Sequence, residues 1–265
     1  MNQIKASLKV IAVVANTLLI YSVYAVGYLF IKLTKLNFEP WRNRCLTIWG
    51  KTSAKILSIN VETKGDIPQP PFLLVSNHLS YVDIIILFSV LKTTFVAKLE
   101  VASWPVLGFI AKTIGIVFID RKRKRDVKRV NKVISEQINE RQGITIFPEG
   151  TTSPGASVLK FRAPLLEHAA AESIEVSYCA INYELASSDE PVHTTVCWWG
   201  DVSMFDHLFN LAKQKNINAT ITFGQSKETL SDRKKLAKSL HQKVSAIFEP
   251  MCISEDTSDY KPIEF

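Results

Sequence analysis

The cysteines of this chain form neither a metal site nor a disulfide framework. Cys45, Cys179, Cys197 and Cys252 are widely separated, with no CxxC pair and no histidine at ligand spacing. Reduced structural thiols follow, and a reducing compartment suits the globular part. A Gly-x-Ser-x-Gly elbow is absent, so a serine acyl-enzyme is not indicated. A Walker-type phosphate loop is absent as well, and no internal repeat is visible. Charge is scarce: Asp, Glu, Lys and Arg make up 22% of the residues, and the stretch from Val10 to Ile31 contains none of them.

What is present is apolar and basic. Of 265 residues, 47% are hydrophobic, enough for one sizeable core with an appendage. Lys and Arg number 32 against 25 Asp and Glu, a balance that favours anionic partners such as lipid headgroups, phosphorylated substrates, coenzyme A or nucleic acid.

As a helix, Val10 to Ile31 is about as long as a ~30 Å hydrocarbon core is thick. Lys5 and Lys9 precede it, Lys32 and Lys35 follow it, and Tyr21, Tyr24 and Tyr28 lie toward its C-terminal half, where an interface favours aromatic rings. The flanking charges are too symmetric to orient it. A signal peptide would have a shorter apolar region and a small-x-small cleavage site. A buried core helix fits poorly, because apolar residues occupy all faces. With Trp41 to Ile59 as a basic, aromatic second helix, a hairpin dipping into one leaflet is the alternative to a span.

Asp66-Ile67-Pro68-Gln69-Pro70-Pro71 reads as a linker, since three prolines in four positions suit neither helix nor central strand. It divides the chain into residues 1–65, membrane-anchoring helices; 66–253, a catalytic domain; and 254–265, a polar, mostly acidic tail. Within the domain, strands are predicted at 72–75, 94–97, 115–119, 144–147, 176–183, 195–199 and 219–223. Helices are predicted at 84–91, 122–141, 164–172 and 232–248. The alternation implies an α/β fold: a mixed sheet flanked by helices, preceded by an N-terminal membrane helix or helical hairpin.

Asn77-His78-Leu79-Ser80-Tyr81-Val82-Asp83 places an imidazole and a carboxylate on one short turn after an apolar strand. A carboxylate bonded to one ring nitrogen fixes the tautomer, aims the other nitrogen and stabilises the imidazolium. Five residues apart, the two would lie about 140° around a helix, so His78 is expected in the loop. Ser80 and Asp83 also read as a capping box, with Ser80 as N-cap, and this role is compatible with catalysis. In Phe147-Pro148-Glu149-Gly150-Thr151, Pro148 ends a strand ladder, Gly150 permits a tight turn, and the following hydroxyls and amides suit phosphate or alcohol oxygens. An ordinary turn with a solvated Glu149 is the plainer alternative. Gly115 to Arg121 forms a third block, ending where the basic run Arg121 to Arg129 begins. Such runs are commonly solvated or bind anions. His168, His193, His207 and His241 lack a comparable carboxylate-bearing motif and read as structural or surface residues.

These ordered motifs, from about Phe72 to Ile181, resemble the acyltransferases that esterify lysophosphatidic acid and related glycerolipids. The resemblance implies His78 and Asp83 as the catalytic pair. It implies Glu149, Gly150 and Thr151 as lining of the acceptor pocket, Arg121 as the clamp on an acceptor phosphate, and Lys98 as its assistant. Leu159-Lys160-Phe161-Arg162 also echoes the family, whereas Pro164 and Tyr178 depart from its common Gly and Pro. The implied reaction is direct attack of an acceptor hydroxyl on an acyl thioester. Acyl-CoA or acyl carrier protein is the donor substrate, with no cofactor, no metal and no covalent intermediate required. The product is phosphatidic acid for phospholipid synthesis, made at the inner or cytoplasmic membrane by a domain facing the cytoplasm. The expected partners are membrane lipids, lysophosphatidic acid and the donor, with no nucleic acid. A lyso-ornithine lipid or another lysolipid is the alternative acceptor. A membrane-anchored protein binding anionic lipid or nucleic acid is the alternative of another class, disfavoured because aromatic residues are not interleaved with the basic run.

Overall fold

The computed structural model of the chain describes residues 3–120, 123–186, 190–253 and 260. In chain order the elements are α1 (Gln3–Thr34), α2 (Glu39–Ile56), β1 (Ile59–Lys64), β2 (Leu73–Ser76), α3 (Val82–Val90), β3 (Thr93–Lys98), α4 (Leu107–Thr113) and β4 (Val117–Ile119). They continue with α5 (Lys124–Gln137), β5 (Gly143–Ile146), α6 (Glu167–Ala171), β6 (Val176–Leu185), α7 (Val192–Thr195), α8 (Met204–Lys213), β7 (Ile217–Phe223) and α9 (Arg233–Ile247).

One seven-stranded sheet runs in the order β1-β7-β6-β2-β5-β3-β4. From β6 to β4 every neighbouring pair is parallel, whereas β7 runs antiparallel to β6 and carries β1 parallel to itself. The central strands β2 and β5 are buried at every position. That is the pattern of parallel strands covered on both faces, and it is why they read as short uninterrupted apolar runs. The expected mixed α/β sheet is present, with a long apolar helix before it.

Three expectations are corrected. The boundary at residue 65 falls too late, because Ile59–Lys64 already belongs to the sheet and pairs along its length with β7. Nor are the first two helices a separate appendage. The Arg42 guanidinium is 1% exposed and donates to the Gln142 side chain and to Asn43 Oδ1, fastening α2 to the lead-in of β5. Burial lowers its pKa to about 10. The predicted strand at 195–199 is instead the end of α7 and an irregular segment, whose Trp198 N–H donates to the Leu79 carbonyl at 2.8 Å. The acidic tail lies outside the described residues apart from Tyr260.

α1 lies along the domain. Lys9 Nζ donates to the Gln214 carbonyl, Asn16 Nδ2 to Ser53 Oγ, Trp49 Nε1 to Thr17 Oγ1, and Tyr24 OH to the Thr113 carbonyl. At Gly27 a Cβ would stand 2.3 Å from the Trp41 ring, so α1 and α2 approach closely there.

Candidate active site

Because β2, β5, β3 and β4 are parallel, the residues that follow them emerge at one edge of the sheet, the usual ligand edge of such folds. His78 lies just beyond β2, Phe147 to Thr151 just beyond β5, and Lys98 ends β3 opposite Ile119 of β4. Motifs far apart in sequence are thus brought together by strand direction.

The first turn is held from both sides. Asn77 continues the ladder with its side chain, accepting from Ile181 N at 2.7 Å and donating to Ile181 O at 3.0 Å. His78 follows, with Nδ1 2.7 Å from Asp83 Oδ2. The same Oδ2 accepts from Leu79 N at 2.7 Å and Ser80 N at 3.1 Å, while Oδ1 accepts from the Tyr183 hydroxyl at 2.6 Å. Asp83 is fully buried, and four donors surround it, as a carboxylate anion requires. A carboxylate offers Nδ1 no proton, so the ring donates through Nδ1 and leaves the Nε2 lone pair as its basic site. Nε2 has no partner among the described residues, and the side chain is 19% exposed. The capping box forms only in half. Asp83 accepts from Ser80 N, but Tyr81 is already helical in the cap position and Ser80 Oγ is buried with no partner among the described residues.

The second loop clamps this turn. Glu149 Oε1 accepts from His78 N at 3.0 Å, and Ser153 N donates to His78 O at 3.0 Å. The imidazole stacks on the Phe147 ring, with centroids 3.9 Å apart and planes 14° from parallel. Gly150 adopts φ +79°, a left-handed conformation that the turn demands and glycine supplies without strain. Glu149 is buried, contrary to the solvated side chain of an ordinary turn, and Oε2 has no partner among the described residues. Burial pushes its carboxyl well above the usual range, with the Asp83 charge adding to the rise and the His78 and Leu159 amides opposing it. The loop is also held from outside: Met251 N donates to Gly155 O at 2.9 Å and the Tyr260 hydroxyl to Thr152 O at 3.0 Å.

A buried carboxylate that orients an imidazole, whose other nitrogen is open at a sheet edge, is built for proton transfer. The Acyltransferase family model matches residues 58–182, from the residue before β1 through both loops. Over 269 residues the chain is 31% identical to the lyso-ornithine lipid O-acyltransferase of Brucella abortus (strain 2308), covering 96% of this chain and 97% of that protein. The chain belongs to the acyltransferase family. The 1-acyl-sn-glycerol-3-phosphate acyltransferase of Neisseria gonorrhoeae is 30% identical over 184 residues, 69% of this chain and 71% of its own. In three dimensions the acyltransferase superposes on the crystal structure of the 1-acyl-sn-glycerophosphate (LPA) acyltransferase PlsC from Thermotoga maritima with a TM-score of 0.61. That superposition covers 90% of this chain and 95% of the other at 18% identity, a likeness of fold. The reading as a mere binding protein gives way to an enzyme.

In this acyltransferase the sheet edge brings together His78, Asp83, Glu149 and Gly150, with half-buried Thr151 beside them. Lys98 stands at the same edge on β3. Arg121 lies outside the described residues, following Asp120 after β4. Two contributors went unread in the sequence. Phe147 was taken as the end of a strand, not as the plate under the imidazole. Tyr183 was taken as the end of β6, although a buried tyrosine hydroxyl needs a partner and that need was the available signal. Among the remaining histidines, His207 joins the Tyr81 hydroxyl at 3.0 Å to the Cys197 carbonyl, and burial lowers its pKa to about 4.

Proposed function

We propose that the enzyme transfers an acyl group from a thioester, acyl-CoA or acyl carrier protein, to the free hydroxyl of a membrane lysolipid, lysophosphatidic acid in the first reading. The observation that carries this is the His78–Asp83 pair at 2.7 Å with Nε2 open. Nε2 takes the hydroxyl proton as the alkoxide oxygen adds to the thioester carbonyl. The tetrahedral oxyanion then collapses, breaking the C–S bond, and the departing thiolate recovers the proton from the imidazolium. The amides of Leu79 and Ser80 are engaged by Asp83, His78 N by Glu149, and Gly150 N by Phe147 O. Oxyanion donors are therefore sought at Thr151 and Thr152, whose amides carry no bond among the described residues.

One observation favours lyso-ornithine lipid as a second acceptor reading: the similarity to the Brucella lyso-ornithine lipid O-acyltransferase runs nearly end to end. The two acceptors differ in their phosphate. Purified enzyme is therefore assayed with acyl-CoA and either lysolipid, following released thiol. With lysophosphatidic acid as the true acceptor, Arg121→Ala lowers kcat/KM by about ten- to several hundred-fold, the scale of a charge-assisted bond of roughly 1.5–3 kcal/mol or slightly more. Arg121→Lys recovers only part, since a point charge lacks the guanidinium fork. Faster wild-type turnover of lyso-ornithine lipid transfers the assignment to that acceptor, and no thiol release with either overturns the reading.

The membrane mode we favour is a helix lying in one leaflet. α1 is long and apolar enough to cross a bilayer. Yet its polar side chains bond the domain from Lys9 to Tyr24, while Ile11, Leu19, Val26 and Phe30 point outward and are more than half exposed. A span would carry the domain's polar groups into hydrocarbon, whereas a helix half-immersed at the interface would not. Phe109 of α4, 62% exposed and edge-on to Tyr21, extends the same apolar face. The protein is expected to resist alkaline carbonate extraction, with an N-terminal tag and the catalytic domain labelled from the same, cytoplasmic side. Labelling from opposite sides would make α1 a span.

A further inference from the structure

Of the two oxygens of Asp83, Oδ2 is shared by His78 Nδ1 and the Leu79 and Ser80 amides, whereas Oδ1 receives the Tyr183 hydroxyl at 2.6 Å. We propose that Tyr183 is a positioning residue for the proton transfer: its hydroxyl, donated from β6 to Oδ1, sets how strongly the Asp83–His78 pair holds a proton. The proposal rests on the reading of His78 as the base.

The hydroxyl is built into place. Tyr183 is 3% exposed and lies two residues beyond Ile181, whose backbone the Asn77 side chain grips in both directions. Its own N–H donates to Met251 Sδ at 3.2 Å. The β6 backbone and the catalytic turn are thus one rigid unit, and the phenol oxygen is aimed by both. The direction of the bond is settled by chemistry, since an ionised carboxylate only accepts. Burial and the Asp83 charge push the phenol well above its ordinary value, so it stays a donor.

Among the described residues, nothing else facing the pair replaces it. Glu149 comes from the loop after β5, Cys179 from β6, Cys197 from the segment after α7, and Tyr81 from the turn itself. Burial pushes each of them upward, away from its charged form. His207 of α8, which touches Tyr81, is pushed down to about 4, likewise away from its charged form. Tyr183 is the donor that draws charge off the Asp83 oxygen not shared with His78. Removing the donor has two consequences of one sign. The carboxylate pulls harder on Nδ1, and its desolvated Oδ1 gains proton affinity, so the coupled pair retains a proton to higher pH.

Tyr183→Phe, which deletes one oxygen and keeps the ring, is expected to move the acid limb of kcat/KM upward by about one pH unit, the scale of one charge-assisted bond. Near the wild-type midpoint the rate then falls about fivefold, approaching about tenfold on the acid side, and it recovers to within a few-fold above the limb. Site-specific 3-fluorotyrosine at 183, a stronger donor of nearly the same size, should move the limb the other way and carries the test if the Phe variant folds poorly. Imidazole titration followed by 15N NMR reads the same shifts without turnover. Wild-type turnover with an unmoved limb and an unmoved imidazole titration in both variants overturns the role of Tyr183. Shifted titrations in an enzyme that releases no thiol would instead support the coupling and defeat the acyl-transfer reading.

Discussion

His78→Ala is expected to reduce kcat by roughly 10² to 10⁴-fold, the range for loss of a general base, while leaving the fold in place. The two halves of that expectation come from different observations. Activity falls because Nε2 is the basic atom of this turn that the geometry leaves open: Glu149 is buried and tied to a backbone amide, and Asp83 is fully buried behind four donors. The fold survives because the bonds that lock the turn use the backbone of residue 78, not its ring. Alanine still donates through its N–H to Glu149 and accepts at its carbonyl from Ser153. The ring is partly exposed, so its removal uncovers one face of Phe147 without opening an internal cavity. A thermal midpoint within a few degrees of wild type, measured beside thiol release, separates the two halves. Turnover by purified His78→Ala near the wild-type rate would remove His78 from the mechanism.

The His78–Asp83 turn was legible in sequence because its geometry is local. Five residues separate the imidazole from its carboxylate, and the expectation of His78 in the loop with Asp83 in the first helical turn matches the structure. The central strands were legible because burial on both faces leaves unbroken apolar runs such as Leu73–Ser76. β1 was not, because Ile59–Lys64 is an edge strand alternating buried and exposed residues, and its pairing partner lies at the other end of the chain. The prolines after it marked a turn between strands, not the start of the domain. α8 was also missed, although Ser203 and Asp206 carry a capping signature that the structure uses: Ser203 Oγ accepts from Asp206 N at 3.2 Å. The apolar run from Val196 to Trp199 misled in the opposite direction, because its composition suits a strand while Trp198 spends its N–H on the Leu79 carbonyl. Tyr183 was beyond reach for a different reason. Its partner is 100 residues away, and only the parallel pairing of β2 with β6 brings the two together.

Asp83→Asn is expected to lower kcat/KM by about 10² to 10³-fold, less than a swap to the wrong imidazole tautomer would cost. The reason lies in the two oxygens. If the new amide group turned its NH2 toward His78, it would face the Leu79 and Ser80 N–H groups as well, and those donors would be left buried without an acceptor, at about 1–3 kcal/mol each. The amide oxygen therefore takes the Oδ2 position and the NH2 faces Tyr183, whose hydroxyl can turn to accept. Nδ1 keeps its proton and Nε2 stays basic in form. What is lost is the negative charge beside the imidazolium, about 3–4 kcal/mol of transition-state stabilisation in a buried site, which is two to three powers of ten in rate. Because asparagine cannot ionise, raising the pH should not restore the rate. Asp83→Ala is the poorer test, since it abandons three N–H donors and the Tyr183 hydroxyl at once and is expected to unfold the turn. Kinetics of Asp83→Asn across the pH range, with a melting curve to show that the protein is folded, decide the matter. Activity within tenfold of wild type would mean that Asp83 serves the architecture of the turn and not the proton transfer.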